Sequence, residues 1–171
     1  QGAVGLWAGK YASALGNGLK VSFCHKTAFA RSMTVSSTGT ALTGTNFTTN
    51  LTVGSVIKDA GGNTRTVTVI GSATTATLSS AFPVDLSSAT VTAYWEYYQD
   101  FGFAPGTSVS ATRNGSSNDE IHVIVVDTNG LFSGIRNQVL EKYAFVSVDA
   151  TAKKEDGSSN YYAQVINETS K

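Results

Sequence analysis

Ile121-His122-Val123-Ile124-Val125-Val126, with Asn118-Asp119 before it and Asp127-Thr128-Asn129-Gly130 after it, is the stretch that decides the fold. A β-branched run of this length between turn-forming residues predicts a strand buried on both faces. A tight turn is expected next, then a second strand at Val139-Leu140-Glu141-Lys142-Tyr143-Ala144-Phe145-Val146-Ser147. Lys154-Glu155-Asp156-Gly157-Ser158-Ser159-Asn160 reads as a polar loop ending in residues suited to cap a helix. In that helix Tyr161 and Val165, and Tyr162 and Ile166, stand four apart. One stripe is therefore apolar, while Gln164, Asn167 and Lys171 lie off it. The last third of the chain is scaffold, with no arrangement of side chains suited to catalysis.

Working outward, 2–10 and 19–25 are short apolar runs joined by Ser13-Ala14-Leu15-Gly16-Asn17-Gly18, whose glycines are expected to supply positive φ where the chain reverses. Composition changes near Arg31 and back near Phe101, and pairing of 19–25 with 121–126 would make the insert between those points an excursion from one domain, which loop-closure entropy tolerates at modest cost. The composition of that excursion is distinct. Thr, Ser, Gly, Val and Ala dominate, charges are few, and short β-type runs alternate with turn signals. The candidate strands are 56–58, 64–70, 75–78 and 89–95, with Asp59-Ala60-Gly61-Gly62-Asn63 as a hairpin connection. Within 64–70, Val67 and Val69 are expected to share one face, and Thr64, Thr66 and Thr68 the other.

The fold class read from these elements is α+β, mostly β. A mixed or antiparallel sheet core carries one or two helices, and a small β-sandwich or β-barrel is inserted into it. The domain reading is a discontinuous core, 1–32 and 97–171, and an inserted β-rich surface domain, 33–96.

A chain of 171 residues with 41% hydrophobic content is large enough to bury a core. Its formal net charge is +0 with 14% charged residues. It therefore lacks the basic field that nucleic-acid binding and attraction to anionic membranes use. Low charge also means little self-repulsion, which permits self-assembly. Cys24 is the single cysteine, so an internal disulfide and a thiolate metal cage are excluded and a reducing compartment is expected. No run approaches the ~20 apolar residues of a membrane span. The start at Gln1-Gly2-Ala3-Val4 lacks an initiator Met and the form of a signal peptide, and the end at Asn167-Glu168-Thr169-Ser170-Lys171 stops within or just after a helix without Gly or Pro. Both ends read as those of an internal fragment.

Residues able to carry chemistry are few. His25 and His122 are the candidates for general acid or base work. Cys24 and His25 are adjacent in sequence, too close to form a nucleophile and base without a third orienting group. His122 lies inside an apolar strand, where a packing histidine is the commoner role. Asp127-Thr128-Asn129-Gly130 has the start of a calcium loop, but position 138 is Gln where the bidentate Glu would stand, so the residues read as a turn. Gly102-Phe103-Ala104-Pro105-Gly106 lacks phosphate-loop spacing. The triplets at Asn46, Asn50, Asn114 and Asn167 match the glycosylation signal as chance matches in a chain rich in Ser and Thr. The aromatic cluster Tyr94, Trp95, Tyr97 and Tyr98 suits either core packing where insert and main domain join or a stacking platform for carbohydrate. No catalytic, cofactor-binding or metal-binding residue is assigned, and the chain is read as no enzyme.

Taken together, Leu6-Trp7-Ala8-Gly9-Lys10-Tyr11-Ala12-Ser13-Ala14-Leu15-Gly16-Asn17-Gly18-Leu19-Lys20-Val21, then Phe101-Gly102-Phe103-Ala104-Pro105, then 119–127, 140–147 and 155–170 follow an order and spacing that resembles the contractile tail sheath protein of myovirus-type bacteriophages. The insert departs from the family's common core, at a place where sheath proteins carry variable outward-facing domains. The resemblance implies a structural virion protein of the phage tail, assembled in the host cytoplasm. Its partners would be copies of itself in a helical homo-oligomer, and, through parts missing from this fragment, the tail tube and the baseplate and terminator proteins. Nucleic acid and membrane insertion are not implied. Contraction would move each subunit as a nearly rigid body and drive the tube through the host envelope, with no catalytic residue to carry over. Without the extended arms that add strands to neighbouring sheets, the fragment is not expected to assemble alone. The alternative reading is a carbohydrate-binding or particle-decorating β module on a virion surface.

Overall fold

A computed structural model describes Trp7, Gly9 and residues 14–170. The apolar run 2–10, apart from Trp7 and Gly9, lies outside the described residues, as does most of 6–13, on which the resemblance partly rests. The chain divides into two compact units, Gln1–Lys26 with Pro105–Lys171, and Thr27–Ala104. The fold is α+β and mostly β, with antiparallel sheets and a closed six-stranded barrel.

In the first unit β1 (Leu19–His25) runs antiparallel to Glu120–Asp127, in unbroken register from Leu19 opposite Asp127 to His25 opposite Ile121. The central strand Glu120–Asp127 also pairs with Gln138–Ser147, so among the described residues the sheet has three strands with the apolar run in the middle. Ile121, Val123, Ile124 and Val126 are fully buried. At about 25 cal/mol per Å² of apolar surface removed from water, this strand is the chief anchor of the unit. A terminal helix, Tyr162–Thr169, presses Tyr162 and Ile166 against Ile121, Val123 and Val146. Tyr161 and Val165 pack at the border of the same cluster, and the Trp7 ring lies 5.9 Å from that of Tyr162.

Three local expectations are corrected here. Neither Gly16 nor Gly18 takes positive φ, because 14–18 winds as a 3-10 turn. The connection after the central strand is a loop over 128–137 rather than a tight turn. The terminal helix begins at Tyr162 with Tyr161 at its cap and no side-chain cap bond. Ser159 Oγ takes the Tyr161 N–H at 3.2 Å, and Asn160 Nδ2 donates to the Phe145 carbonyl at 3.0 Å.

The second unit begins in the helical turn α1 (Lys26–Phe29) and then lays down β2 (Ala30–Thr38), β3 (Ala41–Thr43), the short helix α2 (Phe47–Asn50), β4 (Val56–Lys58), β5 (Thr64–Ile70), β6 (Thr75–Leu78) and β7 (Ala89–Tyr94). The strands close in the order β2-β3-β6-β5-β4-β7, every pair antiparallel, which leaves the barrel no open edge. Met33, Val35, Leu42, Phe47, Ile57, Val67, Leu78 and Val91 fill it. The hairpin at 59–63 is clamped by Asp59, whose carboxylate accepts from the Asn63 backbone N–H and from Asn63 Nδ2, each at 2.8 Å.

Continuing the numbering, the first unit's later elements are α3 (Val109–Arg113), β8 (Glu120–Asp127), β9 (Gln138–Ser147) and α4 (Tyr162–Thr169). The barrel unit spans 27–104, wider than the 33–96 read from composition. β2 already pairs with β7 from Ala30 opposite Tyr94, the Trp95 N–H donates to the Phe29 carbonyl at 3.1 Å, and Trp95 packs on Phe101. Strands β2 and β3 lie outside the runs that the sequence alone offers as strands. One inward position of β2 is Ser37, buried by exchanging hydrogen bonds with Leu86. Val67 and Val69 do not share a face. A bulge makes Val67 oppose Leu78 while Val69 opposes Thr77, with Thr68 as the extra residue. Val67 is 0% exposed and Val69 52%. An inserted residue flips the alternation beyond it.

Candidate functional site

β1 carries Cys24 and His25 on opposite faces of the sheet, because successive side chains of a strand alternate. Cys24 stands opposite His122 in the register, so those two share a face. This cross-strand neighbour was not legible in the sequence, since only the register reveals it. The site is chemically quiet. Burial pushes the Cys24 thiol up to about 12, outweighing a hydrogen bond with the His122 backbone. The thiol therefore stays protonated at neutral pH, and a protonated thiol is a poor nucleophile.

The His122 imidazole is fully buried, and its Nδ1 accepts the Phe145 backbone N–H at 3.2 Å. It thus has the neutral form with the proton on Nε2. Phe145 itself sits at φ 56°, an unusual conformation for a bulky residue. It occupies the place where β9 bulges opposite His122. Its ring meets the imidazole edge-on at 4.7 Å, and its carbonyl accepts from Asn160. His122 is therefore a packing and pinning residue. His25 has its Nδ1 buried without a hydrogen-bond partner, and burial lowers its pKa.

Two buried carboxylates organise the ends of β8. At its start Asp119 accepts from the Ser108 N–H at 2.8 Å, from Ser108 Oγ at 2.7 Å and from Ser147 Oγ. Burial alone would raise its pKa, but these bonds bring it below the ordinary range. Ser108 also caps α3, its Oγ accepting the Ala111 N–H at 3.1 Å. The carboxyl of Glu120, next in the chain, is raised by burial and accepts the Gly106 N–H at 2.8 Å.

At the far end of β8 Asp127 accepts from the backbone N–H groups of Leu131, Phe132 and Ser133 and from Ser133 Oγ, at 2.9 to 3.0 Å. Burial opposes ionisation, and the hydrogen bonds overcome it to hold Asp127 at about 2. Because the positive ends of N–H dipoles point at both oxygens, this carboxylate is committed to the loop. Among the described residues no group of three or more His, Cys, Asp or Glu is placed to hold a metal ion.

On the barrel, Trp95 is 6% exposed, with its ring 5.5 Å from Phe101 and 5.4 Å from Tyr97. It packs in the core and offers no face to a sugar. Tyr94 and Tyr98 stack on one another at 4.3 Å. An open groove of about 410 Å³ lies elsewhere on the barrel, lined by residues 34–36, 43–45, 74–75 and Ser88, with more apolar than polar surface. It contains no charged or aromatic side chain. No helix among the described residues is long and apolar enough to cross a membrane. The chain matches no protein-family model, no curated protein and no solved structure.

Proposed function

We propose that this chain is part of a subunit of a contractile phage tail sheath, a structural virion protein that acts by assembly and rigid-body rearrangement rather than by chemistry. The observation that carries the reading is the nesting of the two units. The described segments on which the resemblance rests, apart from 101–104, fall in one compact unit built on β1, β8, β9 and α4. A closed barrel interrupts that unit in sequence between β1 and β8 and is internally complete. A core with an interposed, edge-free module agrees with what the resemblance implies, a sheath core that carries a variable outer domain. Buried carboxylates at both ends of β8 spend their charge on backbone and hydroxyl donors, which favours rigidity over reactivity.

On this reading the partners are further copies of the subunit in a helical array, and the tail tube and end proteins through other parts of the protein. Heterologous contacts of that kind propagate without closing. The energy of contraction comes from exchange of interfaces, so the protein needs no nucleotide. The test is pelleting of the full-length protein expressed alone, with chelator present and nucleotide absent. Polymer that sediments above a threshold concentration supports the reading, and a protein that stays monomeric at every concentration removes it.

The second reading is a glycan-binding or decorating module. It loses Trp95 to the core and is left with the half-buried Tyr94, Tyr97 and Tyr98 and with the open groove beside Thr34 and Ser88.

A further inference from the structure

The sequence holds three Asn-Gly pairs, at 17–18, 114–115 and 129–130. The atoms of such a pair allow one reaction in water. The glycine nitrogen, after losing its proton to solvent, attacks the asparagine Cγ. The new C–N bond closes a succinimide, and the carboxamide nitrogen leaves as ammonia. Water then opens the ring at either carbonyl, so asparagine and water give ammonia and aspartate or isoaspartate. Glycine suits the step because it has no Cβ to obstruct the approach. In a folded chain the glycine N–H must also be free to leave its place, and there the three pairs differ. The Gly115 N–H donates to the Thr112 carbonyl at 3.2 Å, between Asn114 and Ser116 N–H groups that both donate to the Ala111 carbonyl. Gly18 is buried at the end of the 3-10 turn, and its carbonyl is held by the N–H and hydroxyl of Thr128. Asn129 is exposed, and among the described residues neither its carboxamide nor the Gly130 N–H has a hydrogen-bond partner. Asp127 takes the N–H groups of residues 131 to 133 and leaves that of Gly130 unbound. The loop also requires the glycine. Gly130 sits at φ 74°, and a Cβ there would stand 3.1 Å from the Arg136 nitrogen and from the Ile135 carbonyl carbon.

We propose that Asn129-Gly130 is a self-modification site, the pair at which the folded protein converts asparagine to aspartate and isoaspartate with water as the sole co-reactant. The inference is independent of the sheath reading. Its consequence follows from the loop. Arg136 is the single charged residue in 128–137, so either product sets a new negative charge two residues from the Asp127 carboxylate. Isoaspartate further adds a methylene to the backbone between two fixed points. One is Thr128, pinned to the Gly18 carbonyl, and the other is Gly130, crowded by the backbone of 135 and 136. The isoaspartate form therefore unseats a loop that the unmodified chain holds in place.

The experiment incubates the full-length protein in mildly alkaline buffer, folded and in parallel unfolded in guanidinium chloride, and maps its peptides by mass spectrometry over time. Conversion reads as a gain of one mass unit, and isoaspartate is assayed by enzymatic methylation. The expected result in the folded protein is conversion at 129 at least about fivefold faster than at 114 or 17, because Gly115 must first break a hydrogen bond. In denaturant the three rates should draw together. Conversion at 114 or 17 as fast as at 129 in the folded protein overturns the inference, as does an unmodified 129 once the unfolded chain has converted. An advantage at 129 that persists undiminished in denaturant overturns it equally, since flanking residues rather than the fold would then set the rate. Separated by ion exchange, the isoaspartate form should melt below the unmodified protein, and an equal melt overturns the unseating of the loop.

Discussion

Val67 and Val69 lie two apart on one strand, and regular alternation would give them the same environment. The bulge at Thr68 makes them opposites, so Val67→Ala and Val69→Ala should differ sharply. Val67→Ala removes two buried methyl groups. The transfer loss is about 0.8 kcal/mol for each, and a residual cavity on the order of 40 Å³ adds about 1 kcal/mol, for a total of about 2.5 kcal/mol. Val69→Ala, on the solvent side, should cost about 0.5 kcal/mol or less. Urea unfolding of the barrel can be followed through Trp95 in a Trp7→Phe background, since the chain has two tryptophans. With a slope of about 1.2 kcal/mol/M for a unit of this size, Val67→Ala should lower the midpoint by about 2 M while Val69→Ala leaves it nearly in place. Equal shifts would refute the bulged register and restore the simple alternation.

Asp119→Ala strips the acceptor from Ser108 N–H, Ser108 Oγ and Ser147 Oγ, and should destabilise the first unit by about 2 to 4 kcal/mol in thermal or urea unfolding. Asp119→Asn, which keeps one acceptor, should cost less. Asp127 and Asp119 are ionised more readily folded than unfolded, so they stabilise the protein above the ordinary carboxyl range, and that contribution fades as pH falls through the folded values. The melting temperature should therefore drop between about pH 4 and pH 2. Asp127→Asn should flatten that drop, although Glu120, raised by burial, works in the opposite sense; an unchanged slope would remove Asp127 from the account. Cys24, buried and with its thiol pushed up to about 12, should react with alkylating reagents at pH 8 only as fast as the first unit opens, and rapid labelling of the folded protein would contradict its placement. Deleting 27–104 and joining the ends with a short Gly/Ser linker should leave the three-stranded unit folded by circular dichroism; loss of all structure would show a shared core.

How far the sequence could be read depended on where the apolar periodicity survived. The central strand β8 and the helix α4 were plain, because Ile121, Val123, Tyr162 and Ile166 keep their periods and all face one cluster. The short strands β4, β5 and β6 were equally visible between their turn residues. Strand β2 was hidden because an inward position is Ser37, whose burial depends on Leu86, forty-nine residues away. The bulge at Thr68 has no local signal, since Thr-Val-Thr-Val reads as perfect alternation. The same limit applies to the polar nodes. Asp127 looked like a turn residue, and that its carboxylate would gather three N–H groups follows only from the path of the loop. His122 could be placed in a buried strand from sequence, but its meetings with Cys24 and Phe145 needed the registers of both neighbouring strands. The aromatic cluster 94–98 admitted a platform or a core; Trp95, packed against Phe101, goes to the core, while Tyr94, Tyr97 and Tyr98 stay half-buried.

The account stands or falls on assembly, and electron microscopy of the full-length protein expressed alone at high concentration tests it most directly. It predicts hollow, striated tubes of helically stacked subunits. Discrete monomers or small closed oligomers across all concentrations would contradict it.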